Sequence, residues 1–167
     1  YDSTTSLFGI GRLSWAAKDG DRCTRERDLE YDSVGRIASD VRCVDGDVQR
    51  LSYQYDPGNR VLAVQFPDGD QITYAYDTLG RLQSVPGYLE EIQYDSEARP
   101  VLMRFANGVT ERRTFDASRR WLTGLRFERA GAVLFEGTYS YSTDGLRKTS
   151  DERAAGSPGT AEWSLTR

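Results

Sequence analysis

Tyr76-Asp77-Thr78-Leu79-Gly80-Arg81-Leu82 sets an aromatic ring, a carboxylate, a glycine and a guanidinium within seven residues. The Asp side chain is suited to accept hydrogen bonds from the backbone N–H groups of a tight turn, and the Gly allows a conformation that a Cβ penalises. The Tyr closes the turn against the core. The Arg falls nearly opposite the Tyr across a four-residue loop, where its guanidinium can stack on a ring or pair with a neighbouring Asp. The unit reads as a turn-forming cassette.

The cassette recurs along the chain. Tyr31-Asp32-Ser33-Val34-Gly35-Arg36-Ile37 and Tyr55-Asp56-Pro57-Gly58-Asn59-Arg60-Val61 are close copies. Weaker ones lie at Tyr94-Asp95 with Arg99, at Phe115-Asp116 with Arg119 and Arg120, and at Tyr141-Ser142 with Gly145. A degenerate first copy runs from Tyr1-Asp2, with an insertion before Gly11-Arg12-Leu13. The ring positions 31, 55, 76, 94, 115 and 141 are separated by 24, 21, 18, 21 and 26 residues, the signature of a repeat architecture. Roughly midway between them fall Asp19-Gly20, Asp45-Gly46, Asp68-Gly69, Pro86-Gly87, Asn107-Gly108 and Ala130-Gly131. Asp-Gly and Asn-Gly favour type I′ hairpins, in which both central residues take positive φ.

Each repeat is therefore expected to be a two-stranded hairpin. Strands are expected over 60–66, 71–76, 81–85, 89–94, 101–106 and 109–115, running from one turn class to the other. Alternation puts Leu51, Tyr53 and Tyr55 on one face, as it does Ile72, Tyr74 and Tyr76, and Val133, Phe135, Tyr139 and Tyr141. Stacked in register, tyrosines of neighbouring repeats are expected to pack against one another across strands. The fold class is all-β: an antiparallel meander of tandem hairpins in one curved, twisted sheet of about a dozen strands. Residues 1–149 are assigned to about six hairpins. Residues 150–160, with Ala154-Ala155-Gly156-Ser157-Pro158-Gly159, read as an exposed loop, and 161–167, with Trp163, Ser164 and Leu165, as the start of a further repeat strand.

Composition agrees with this reading and excludes much else. The chain has 167 residues and 18.8 kDa, with 29% charged and 38% hydrophobic residues and a mean hydropathy of −0.64. No stretch approaches the roughly 20 consecutive apolar residues of a membrane helix. Net charge is −4, and the basic residues are scattered, which argues against nucleic acid as a partner. The chain contains no His, so Ser-His-Asp and Cys-His mechanisms and His metal ligands are absent from it. It opens on Tyr1 without a signal-like segment, as expected of a piece of something longer.

The tandem Tyr-Asp-x-x-Gly-Arg-Leu/Ile/Val cassettes, alternating with turns such as Phe66-Pro67-Asp68-Gly69, resemble the RHS or YD-repeat family. That family includes bacterial polymorphic toxins, the B and C components of insecticidal Tc toxins, and animal teneurins. The resemblance spans nearly the whole chain. It implies a non-enzymatic role, with the repeats winding into a hollow β-shell that encloses a toxin or other polypeptide. The implied partners are adjoining repeats and the enclosed C-terminal polypeptide, and the implied location is secreted or cell-surface. Toxin members cleave their own chain with paired Asp residues in a separate core region. Asp56-Pro57-Gly58 is only a fragment of such a motif, so no catalytic residue is carried over. The rival reading is a carbohydrate or cell-surface binding module that uses the aromatic face, with Tyr53 and Tyr74 as candidate contacts.

Other sites have blander readings. Asp19-Gly20-Asp21, Asp45-Gly46-Asp47 and Asp68-Gly69-Asp70 offer two carboxylates per hairpin tip, too few oxygen donors for Ca²⁺, and read as solvated turns. Acidic residues capable of glycoside hydrolysis do not stand apart from the repeat pattern, so neither catalysis nor a cofactor is expected. Cys23 and Cys43 are the only cysteines, too few for zinc. They face each other only if the loop around Asp32 to Gly35 has an odd number of residues, which leaves a disulfide and two free thiols both open. Unpaired sheet edges make edge-mediated self-association a further reading.

Overall fold

The computed structural model describes residues 8–16, 27–155 and 161–164, and all regular structure among them is β. These residues form two compact units that divide between Tyr74 and Ala75. The first holds a six-stranded sheet in sequential order: β1 (Trp15–Ala16), β2 (Arg27–Tyr31), β3 (Ile37–Val44), β4 (Asp47–Tyr55), β5 (Val61–Gln65) and β6 (Gln71–Thr73). The second holds a two-stranded sheet of β7 (Ala75–Tyr76) and β8 (Leu82–Ser84). It also holds a seven-stranded sheet built from β9 (Leu89–Tyr94), β10 (Pro100–Phe105), β11 (Val109–Phe115), β12 (Leu122–Arg129), β13 (Ala132–Tyr141), β14 (Arg147–Ala154) and β15 (Ala161–Ser164). Within every sheet each strand pairs antiparallel with its sequence neighbour.

The meander is as expected, but the single sheet is not. The ladder is interrupted at Tyr74, whose N–H still donates to the Leu62 carbonyl at 2.9 Å, and again at Pro86–Tyr88. At the second break an isolated bridge between Val85 and Leu89 carries the chain from β8 into β9. The loop expected over 150–160 also starts later, because β14 continues through Ala154 and pairs with β13. Residues 156–160 lie outside the described residues, as do Tyr1-Asp2 and Asp19-Gly20-Asp21.

The two turn classes differ physically. Type I′ geometry, with two successive positive φ values, occurs at Asp45-Gly46 (53° and 95°) and Ala130-Gly131 (48° and 83°). At Asp68-Gly69 and Asn107-Gly108 only the glycine is left-handed, so the expectation of two positive φ values fails there. In both, the glycine N–H donates to the carbonyl three residues back, Phe66 or Phe105, which closes a turn before the left-handed residue. The cassette turns use this second geometry and place a register shift beside each ring, as between Glu30 and Tyr31, Gln54 and Tyr55, and Thr114 and Phe115. A shift of this kind is the bulge that lets a left-handed residue rejoin the ladder.

The faces of each sheet are unlike. In the first unit Leu29, Asp40 and Leu51 lie side by side across β2–β4, and Tyr53, Val64 and Ile72 across β4–β6. The opposite face carries Glu30, Ser39, Ser52, Gln65 and Gln71 in one row. In the seven-stranded sheet one face aligns Ile92, Met103, Glu111, Phe127 and Phe135. The other carries ion pairs, among them Arg112–Glu128 and Arg126–Glu136. Buried hydrophobic residues are few, namely Leu29, Ala63, Leu89 and Leu102, and among the described residues no large side chain is fully buried. The sheets are held by their ladders and by side chains lying along their surfaces.

Candidate functional site

The recurrent feature of the molecule is the cassette, and its geometry repeats nearly atom for atom. The Asp32 N–H donates to the Arg36 carbonyl at 2.8 Å and the Gly35 N–H to the Asp32 carbonyl at 2.9 Å. Asp56, Asp77 and Asp95 repeat both bonds with Arg60 and Asn59, Arg81 and Gly80, and Arg99 and Ala98. One carboxylate oxygen of each Asp accepts from the backbone N–H four residues on, at 2.8–3.0 Å. The other accepts from the Arg Nε at 2.6–2.7 Å. The fourth turn residue is left-handed throughout: Gly35, Asn59, Gly80, Ala98 and Gly145 all have positive φ.

These contacts act on the acidity of the carboxylates. Backbone and side-chain hydrogen bonds from Arg60 hold Asp56 below the ordinary carboxylate range, and the Arg99 backbone N–H leads the same effect at Asp95. At Asp32 and Asp77 burial pushes upward most strongly among single causes. The combined donors of Arg36 or Arg81 and the turn outweigh it, so these too are lowered.

Within each unit successive cassettes are linked. The Arg36 guanidinium lies 4.6 Å from the ring centroid of Tyr55, Arg81 4.4 Å from Tyr94, Arg99 4.5 Å from Phe115 and Arg12 5.4 Å from Tyr31. Where the ring is a tyrosine, its hydroxyl reaches back to the residue after the side chain that covers it, an Arg or, for Tyr141, Trp121. Tyr31 donates to the Leu13 carbonyl, Tyr55 to Ile37, Tyr94 to Leu82 and Tyr141 to Leu122, at 2.7–2.8 Å. The Arg therefore does both things the sequence allowed, pairing with its own Asp and stacking on the following ring. An Arg is laid over the rings of Tyr55 and Tyr94. A Cβ at Gly35 would approach Arg12 Nη2 to 2.1 Å, so glycine there serves the stack as well as the turn.

Two copies depart from the pattern. The fifth loop is one residue longer: the Asp116 N–H donates to the Trp121 carbonyl, and Arg120 takes the left-handed position at φ 63°. Trp121, and neither Arg119 nor Arg120, fills the arginine place and packs against Tyr141 with centroids 5.0 Å apart and the rings tilted by 47°. Arg119 covers Trp121 from 4.9 Å, and Arg120 pairs with Glu97 at 3.1 Å. Nothing in the spacing marked Trp121, because an inserted residue shifts the motif by one. In the last copy Ser142 replaces the Asp and exposed Leu146 the Arg, while a Cβ on Gly145 would press to 3.2 Å from Trp121. Tyr76 pairs with Leu82 across the β7–β8 hairpin.

The remaining candidates are placed as follows. The Asp68 carboxylate accepts from the Asp70 N–H within its own turn, and Asp45 and Asp47 are exposed at a hairpin tip. Among the described residues no three His, Cys, Asp or Glu side chains gather where a metal ion could sit. Cys43, in β3, is disulfide-bonded, and Cys23 lies outside the described residues.

Residues 55–85 match the family model of the RHS repeat. No curated protein sequence matches the chain significantly. Among solved structures the chain is similar to the crystal structure of TcdB2-TccC3, with a TM-score of 0.70 and 16% identity over 78% of this chain and 8% of the other. It is similar as well to TcdB2-TccC3-Cdc42 (TM-score 0.69, 16% identity) and to the Photorhabdus luminescens Tc holotoxin pore with a TccC3 variant (TM-score 0.68, 18% identity), with the same coverage of 78% and 8%. The chain thus spans about 8% of the length of the structures it matches. At these identities the likeness shows the fold.

Proposed function

We propose that this chain is a wall segment of an RHS-type shell whose parent protein encloses a toxin or other polypeptide in a secreted or cell-surface setting. The observation that carries the reading is the ladder. At Tyr31, Tyr55 and Tyr94 the preceding cassette supplies an Arg to the ring and receives the ring's hydroxyl on the residue after that Arg, so these repeats are completed by their neighbours. Such a linkage has no built-in end, and it suits a strip that extends by adding hairpins. Adjoining repeats are then the first partners, at the open edges of the sheets, where self-association between copies is the competing use. Pairing of Cys23 with Cys43 belongs to the same proposal, since disulfides persist in oxidising compartments.

The glycan-binding alternative is less well supported. Sugar recognition needs an open aromatic face, yet Tyr31, Tyr55, Tyr94 and Phe115 are each covered by an arginine, and Tyr53 and Tyr74 are half-buried. The test is made on the full-length parent. Protease resistance of an enclosed polypeptide, lost when cassette arginines are replaced, supports the shell. Saturable, sugar-competed binding to a glycan array that disappears with Tyr53→Ala and Tyr74→Ala supports the rival.

A further inference from the structure

The chain holds two asparagines, Asn59 and Asn107, both exposed and both in turns. Asn107 precedes Gly108 at the tip that joins β10 to β11. Its side-chain oxygen accepts from the Val109 N–H at 3.1 Å, so the carboxamide is folded forward over the peptide bond to Gly108. Gly108 has no Cβ to crowd its nitrogen, and its N–H donates only to the neutral Phe105 carbonyl, at 2.9 Å. Arg129 runs beside it, with Nε 3.8 Å from where a Cβ on Gly108 would stand. A cation in that place favours loss of the amide proton.

Asn59 is guarded where Asn107 is open. Its side-chain oxygen accepts from Arg36 Nη1 at 3.1 Å, which ties the carboxamide to the preceding cassette. The next residue is Arg60, whose side chain crowds its own nitrogen and whose N–H donates to the Asp56 carboxylate at 3.0 Å. An anion there opposes deprotonation of the amide. We infer that Asn107 is a site of spontaneous covalent modification, deamidating through a cyclic imide while Asn59 is spared. The Gly108 nitrogen attacks Cγ of Asn107, the N–Cγ bond forms and the Cγ–Nδ2 bond breaks. Nδ2 leaves as ammonia with the proton shed by Gly108. Water, the only co-reactant, then opens the ring at either carbonyl, giving aspartate or isoaspartate with no change of oxidation state.

The two products differ in how they suit the turn. Aspartate has a ready place, because Asp68 already occupies the same kind of turn. There the Gly69 N–H donates to the Phe66 carbonyl at 3.1 Å and the Asp70 N–H to the Asp68 side chain at 3.0 Å. Isoaspartate adds a methylene to the main chain, which displaces the Gly108 N–H from the Phe105 carbonyl. Either product puts a negative charge beside Arg129. The inference goes beyond the shell proposal and does not depend on it.

The experiment uses the whole folded chain, aged in mildly alkaline buffer and digested with trypsin at intervals. Cleavage after arginine gives residues 105–112 and 51–60, which carry Asn107 and Asn59 as their single asparagines. Both are followed by mass spectrometry and chromatography against synthetic aspartate and isoaspartate standards. Peptide 105–112 should turn acidic at least about tenfold faster than 51–60, a barrier difference of about 1.4 kcal/mol or more, and should contain isoaspartate. Asn107→Gln, whose imide would need a six-membered ring, should keep its amide over the same period. Equal rates in the two peptides, an acidic product free of isoaspartate, or an unchanged Asn107 would overturn the inference.

Discussion

The guanidinium of Arg36 rests 4.6 Å from the ring centroid of Tyr55, and the Tyr55 hydroxyl donates to the carbonyl of Ile37, the residue next to that arginine. Two cassettes are thereby joined by a stack and a hydrogen bond at a single point. The arginine is itself fixed from below by Asp32, 2.6 Å away. Because the stack recurs at Arg12–Tyr31 in the first unit and at Arg81–Tyr94 and Arg99–Phe115 in the second, neighbouring hairpins within each unit are tied by side chains as well as by their backbone ladders.

Acid should be tolerated until it becomes strong. Asp32, Asp40, Asp56, Asp77 and Asp95 all have folded pKa values below the ordinary carboxylate value. A lowered folded pKa gives stability that is complete above the unfolded value and lost as pH falls through the folded one. With no His to titrate, the thermal midpoint should be flat between pH 8 and 5 and fall below about pH 4. Differential scanning calorimetry over that range checks it, and a drop centred near pH 6 would be at odds with the account.

Ala98 takes the left-handed position of its cassette at φ 61°, where a Cβ costs about 1 kcal/mol or more. Ala98→Gly should therefore stabilise the chain by about 1 kcal/mol, or about 2–4 °C in thermal midpoint. The same change at Ala63, buried in β5 and away from any turn, should destabilise instead.

Trp121 substitutes for an arginine by packing its tilted ring against Tyr141, so it carries the contact between the fifth and sixth cassettes. Trp121→Ala should cost about 2 kcal/mol, less than for a fully buried ring because Trp121 is only half-buried. Chemical denaturation gives the value. Restoring the family pattern with Trp121→Arg should recover part of the loss through a guanidinium–ring stack.

Much of this was legible in the sequence, and the exceptions have physical causes. The Tyr-Asp-x-x-Gly-Arg spacing carries the cassette because Asp, a left-handed residue and Arg must fall at fixed offsets to close one turn, as they do at Asp32–Arg36 and Asp77–Arg81. Asp-Gly alone did not settle turn type. Pro67 precedes one such pair and the strands around it leave only Gly69 left-handed, whereas Asp45-Gly46 is a two-residue loop. The partner of each arginine was out of reach, since pairing within a cassette and stacking across cassettes use the same residue types. Trp121 was hidden by one inserted residue. The Arg27–Asp40–Arg42 cluster carries no motif, because it is assembled by the register of β2 on β3.

The most direct test is a pair of double-mutant cycles. Arg36→Gln and Tyr55→Leu, which span two cassettes, should couple by about 1 kcal/mol, whereas Arg36→Gln and Tyr31→Leu, within one cassette, should add independently within about 0.3–0.5 kcal/mol. Coupling confined to the Tyr31 pair, or absent from the Tyr55 pair, would contradict a ladder in which each repeat is completed by the one that follows it.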